Sequence, residues 1–132
     1  MVAACTTAIT GLEGFDTSVV EIGGETLNVA IAETLDQRSQ GLMGLESLPD
    51  GIDAMLFVYD TPGPRSFYMK NTLIPLDVWW FDGEGSLIGS GRMEPCLSEP
   101  CVDYRSPGPA AWVLESPADE FRFAPGDRLS TG

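Results

Sequence analysis

A chain of 132 residues with 43% hydrophobic content, including three Trp, three Tyr and six Phe, has enough apolar surface for one core and is too short for two. Twenty acidic residues against seven basic ones give a formal charge of −13. That charge repels nucleic-acid phosphates and anionic headgroups, which excludes DNA, RNA and polybasic membrane docking, and the absence of histidine removes Ser-His-Asp and Cys-His catalysis together with every His-ligated metal site.

The start, Met1-Val2-Ala3-Ala4-Cys5, has small residues before a Cys, like the lipobox at which bacterial lipoproteins are cut and acylated. Residues 1–16 are therefore expected to be an export remnant and flexible tether with Cys5 as the lipidation site, and residues 17–132 one β-rich domain. The charged and apolar parts of a signal are missing, so an incidental Cys is the alternative. No apolar run approaches the roughly 20 residues that span a bilayer, which leaves a lipid on Cys5 as the expected membrane contact.

The runs Thr17–Ile22 and Thr26–Ala32 are β-prone and flank Gly23-Gly24-Glu25, the pattern of a hairpin. Thr34 followed three residues later by Gln37 is a capping-box signature, and Leu35, Leu42, Met43 and Leu45 share one helical face, so one short helix is expected near residues 35–43. Ala54–Tyr59 is a continuous apolar run, as in a strand buried on both faces, which Thr61-Pro62-Gly63-Pro64 should end. Ser66–Thr72 and Leu76–Phe81 read as strands interrupted at Pro75. Asp82-Gly83-Glu84-Gly85 is a hairpin turn into Ser86–Met93. Residues 94–109 are Pro-rich and irregular, Ala110–Glu115 is a strand, and Ala124-Pro125-Gly126-Asp127 fits a type II turn before a last strand around Arg128-Leu129. The expected fold class is α+β, mostly β: a small curled sheet or partly closed barrel of about seven strands with one short helix.

At Phe67-Tyr68-Met69-Lys70-Asn71-Thr72-Leu73-Ile74-Pro75-Leu76-Asp77 the sequence resembles the uncharacterised bacterial and archaeal family known as domain of unknown function 192. The resemblance extends to Gln37–Met43, Met55–Val58, Pro95-Cys96 with Cys101 and Tyr104, and Gly126-Asp127-Arg128, covering roughly residues 26–130. Ala54, Tyr68 and Val102 depart from its usual Gly, Trp and Pro. The resemblance implies a small β-rich fold and frequent export, and brings no established activity, catalytic residue or cofactor.

Cys96 and Cys101, each preceded by Pro, have four residues between them in the irregular segment; in an exported protein this reads as a disulfide. A reactive pair is the sharper alternative, but the spacing is not Cys-x-x-Cys and no His or Lys neighbours it. Lys70 is the one Lys in the chain. With Asn71, Thr72 and Asp77 it is the expected polar binding site for an anionic or hydroxylated ligand, with Arg38, Tyr104 and Arg105 as further candidates. The plain alternative is a salt bridge from Lys70 to Asp77 or Glu115 that closes the sheet. Asp77 with Glu115 is the one carboxylate pair worth testing as acid and base. Of the adjacent Trp79 and Trp80, one must face each side of a strand, and an exposed one could stack on a sugar. Met43, Met55, Met69 and Met93 could ligate Cu(I), but core packing explains them better, and neither metal nor cofactor is expected.

These features favour a noncatalytic cell-envelope module, secreted or lipid-anchored, that binds a small molecule, glycan or envelope protein near Lys70. A carboxylate-dependent hydrolase of an envelope polymer and a structural accessory domain are the alternatives.

Overall fold

Residues 11–131 are described by the computed structural model, which places Cys5 outside the described residues. Strands β1 (Asp16–Ile22) and β2 (Glu25–Ala32) form the expected antiparallel hairpin, with Ile22 opposite Glu25. Gly23 and Gly24 at the turn both have positive φ, which only Gly adopts freely.

Helix α1 (Leu35–Gln40) starts on the capping box read from sequence. The Gln37 amide donates to Thr34 Oγ1 at 3.1 Å, and the Thr34 amide donates back to Gln37 Oε1 at 3.2 Å. The helix ends before Met43 because Gly41, at φ 49°, turns its amide onto the Gln37 carbonyl at 2.9 Å. Strand β3 (Ala54–Gly63) then runs parallel to β2, so α1 is the crossover of a β-α-β unit. β3 continues through Pro62, where an end at Tyr59 was expected, with an irregular register between Val58 and Gly63.

Ser66–Thr72 is not one strand. Only Ser66–Phe67 forms a strand, β4; Lys70 then makes an isolated parallel bridge with Cys96, whose amide donates to the Met69 carbonyl, and Asn71, at φ 59°, turns the chain. The hairpin of β5 (Leu76–Phe81) and β6 (Leu87–Met93) closes on Asp82, whose Oδ1 accepts the amides of Glu84 and Ser86. Within the Pro-rich segment, β7 (Tyr104–Arg105) pairs with β4. Strands β8 (Ala110–Pro117) and β9 (Leu129–Thr131) complete the chain.

The main sheet has seven strands in the order β6-β5-β8-β3-β2-β1-β9. Its ends approach each other, since the Leu87 amide donates to the Asp127 carbonyl at 2.8 Å and the Leu129 amide to the Gly85 carbonyl at 2.8 Å. The result is a curled half-barrel. Its concave core holds Ile22, Leu27, Leu56, Trp79, Phe81 and Leu114, while Met55, Phe57, Val78, Trp80 and Val113 point to the other face, under Leu12, Phe15, Leu42 and Met69. Both faces are covered, so Trp79 and Trp80 are both buried and neither is free to stack on a sugar. Met55, Met69 and Met93 are likewise packed in the core.

Candidate functional site

Strand alternation places a carboxyl in an apolar layer. In β8, Glu115 shares its face with Val113, and its partners across the sheet are Met55 of β3 and Val78 of β5. It is 4% exposed, and among the described residues no cation lies within 4 Å of it, while no buried side-chain oxygen is left without a hydrogen bond, so its carboxyl keeps contact with the solvent of the cleft. Burial alone pushes its carboxyl up to about 8. Further along the same faces, Tyr59 continues the Met55-Phe57 alternation at the irregular end of β3.

Above these residues lies a cleft of about 440 Å³. One wall is α1 and its exit, with Leu35, Arg38 and Leu42; the other is Arg65, Phe67, Tyr68 and Thr72; Phe57, Tyr59 and Glu115 form the floor. Phe67 is fixed by edge contacts with Phe57 at 4.8 Å and Trp80 at 5.5 Å.

Two guanidinium groups stand over the Tyr59 ring, Arg65 at 3.8 Å and Arg38 at 4.7 Å from its centre. Arg38 reaches there by donating Nη1 to the carbonyls of Glu33 at 2.7 Å and Val58 at 3.0 Å. Arg65 donates Nε to the Ala110 carbonyl at 3.0 Å and Nη2 to the Thr61 carbonyl. Neither arginine has a carboxylate within 4 Å among the described residues, in a chain with twenty acids. Burial raises the Tyr59 hydroxyl above its usual range, with Arg65 and Arg38 opposing and Glu115 adding to the shift.

The cleft gathers Arg38, Thr72 and Glu115 of the residues expected from sequence, and separates the rest. Lys70 lies outside, pairing with Glu99 at 3.3 Å and neither Asp77 nor Glu115. Asn71 serves as a turn, its carbonyl accepting the Gly44 amide at 2.9 Å. Asp77 and Glu115 cannot act as an acid–base pair: Asp77 pairs with Ser116, one residue on, and so faces the opposite side of the sheet. There it accepts Arg92 Nε at 3.3 Å and the Asp119 amide at 2.9 Å, while Arg92 also pairs with Asp119 at 2.7 Å. Tyr104, opposite Phe67, packs against the core and its hydroxyl accepts the Glu94 amide at 3.2 Å. Arg105 is exposed beside Asp103.

Tyr59 and Arg65 were not legible as site residues. Tyr59 carries a signal in the Met55-Phe57-Tyr59 alternation; Arg65, beyond Thr61-Pro62-Gly63-Pro64, carries none. Cys96 and Cys101 form the expected disulfide, consistent with an oxidising compartment. No helix among the described residues is long and apolar enough to cross a membrane.

Two solved structures share the fold. A protein of Sinorhizobium meliloti 1021, described as a candidate transcription regulator, is 32% identical, with a TM-score of 0.75 over 89% of this chain and 95% of its own. A protein of unknown function from Novosphingobium aromaticivorans DSM 12444 is 23% identical, with a TM-score of 0.78 over 98% of this chain and 97% of its own. No protein with a curated description matches. The family model described as Uncharacterized ACR matches residues 18–131, nearly the whole chain, which belongs to that family, DUF192.

Proposed function

We propose that this domain is a noncatalytic module of the cell envelope that binds a small molecule in the cleft between α1 and β4. One observation carries the reading: Arg38 and Arg65 converge on Tyr59 without a carboxylate partner, beside a buried carboxyl that is also unpaired. A concave site that gathers two cations, a phenol and a carboxyl raised by burial is the kind of place where ligands bind. The disulfide supports an oxidising location, and a lipid on Cys5 would supply the anchor. A regulatory role through DNA contact, as the description of the Sinorhizobium relative would suggest, does not suit a charge of −13.

The test is thermal melting of the wild type, Arg65→Gln and Lys70→Ala against envelope sugars, peptidoglycan fragments, metals and small organic anions. A ligand of the cleft raises the melting temperature of the wild type and Lys70→Ala but not of Arg65→Gln. A ligand that protects all three equally sinks the assignment to this cleft.

A further inference from the structure

The two halves of the cleft specify different parts of a ligand. Arg38 and Arg65 both lie within 4.7 Å of one ring centre, and mutual repulsion between them is relieved by an anion with several acceptor oxygens. Phe57 and Phe67 lie deeper, and Leu35 and Tyr68 at the rim are 73% and 46% exposed, so apolar surface continues from the charged spot to solvent. An inorganic ion would leave that surface wet; an anion on an apolar body would cover it.

Glu115 decides the charge state of the complex. As a carboxylate it would be buried against Met55 and Val78 without a donor and would repel an anion above it. As a carboxylic acid it has one O–H to donate. We propose that the cleft takes an organic oxyanion, a phosphate or carboxylate on an apolar body, together with one proton from solvent held on Glu115. This rests on the reading of the cleft as the binding site. The neighbours leave Glu115 as the group that titrates near neutrality: β3 offers Tyr59, raised from an already alkaline value, β5 offers Val78, α1 offers Arg38, and the loop after β3 offers Arg65. Asp77 and Asp119 belong to the opposite side of the sheet.

Phenyl phosphate, inorganic phosphate and benzoate are titrated calorimetrically into the whole chain at pH 7 and pH 9.5. A phosphate monoester is about nine-tenths dianion at pH 7 and wholly so at pH 9.5, its second pKa being about 6, so its own ionisation changes little between the two. With Glu115 at about 8, the acid form becomes scarce at the higher pH, and affinity for phenyl phosphate falls about thirtyfold. Glu115→Gln, which keeps a donor, binds with the same affinity at both pH values, and Arg65→Gln weakens binding at both. Inorganic phosphate binds at least tenfold more weakly; equal affinity would overturn the apolar body. Benzoate separates a carboxylate head from a phosphate one, and the same pH dependence with either supports the proposal. Binding that is lost in Arg65→Gln yet unchanged by pH overturns the proton coupling and leaves the cleft as the site. No heat from either organic anion, while another ligand protects the wild type but not Arg65→Gln, overturns the oxyanion class and again leaves the site.

Discussion

Replacing Glu115 by Gln preserves the shape of the side chain and removes its titration, so the difference between the two proteins isolates one group. The carboxyl ionises at about 4.5 when unfolded and at about 8 when folded. The folded state therefore holds the proton more tightly, and its stability is complete below pH 4.5, drains as pH rises, and levels above pH 8. At 1.36 kcal/mol per unit the whole loss is about 5 kcal/mol, of which about 4 kcal/mol falls between pH 5 and pH 9. This is a ceiling, because the carboxyl opens on the cleft and water there solvates part of the charge. Urea denaturation of both proteins at five pH values reads it directly: the advantage of Glu115→Gln grows with pH up to about 8 and then stays flat. The other acids titrate equally in both chains and cancel. An advantage independent of pH would mean that Glu115 is charged and compensated in the folded state, and would refute the reasoning.

Three further substitutions probe the frame around the cleft. Thr34→Ala removes the cap that starts α1, costs about 1 kcal/mol in denaturation, and weakens ligand binding because Arg38 is carried by that turn. Cys96→Ser opens a short loop and lowers stability by about 2 kcal/mol, a loss that reductant reproduces in the wild type and that leaves binding unchanged. Lys70→Ala breaks only an exposed pair with Glu99, so its unfolding free energy changes by less than about 1 kcal/mol; a larger loss would show a role the geometry does not.

Local chemistry was legible in the sequence where it acts over a few residues. Thr34 and Gln37 announce the helix start, Gly23-Gly24 the hairpin, and Asp82-Gly83-Glu84-Gly85 the next turn, because each satisfies its own backbone groups within the segment. Ser66–Thr72 failed as a strand because its outcome depends on Cys96, which takes the Met69 carbonyl as a strand neighbour would. Lys70 is unique in the sequence, but rarity says nothing about position, and its side chain lies outside the cleft. Asp77 and Glu115 looked equivalent as acidic residues in strands. Their separation follows from a pairing register that puts Ser116, not Glu115, beside Asp77.

The cleft depends on the one parallel pairing in the main sheet as described. An antiparallel β2–β3 pair could have been joined by a tight turn, whereas a parallel one requires a crossover, and here the crossover is α1. That connection holds Arg38 against the Val58 carbonyl of β3. Just beyond Val58, β3 loses regular register with β8, as bulged strands do where they re-aim side chains. Tyr59 and Arg65 belong to this irregular end, and Glu115 to the regular stretch of β8 beside it. The site is thus made where an ordered sheet meets an irregular strand end under a short capped helix. The sheet supplies the buried acid and the irregular end supplies room for a ligand. A substitution that restored regular pairing through Pro62 would narrow the cleft without touching any of its charged groups.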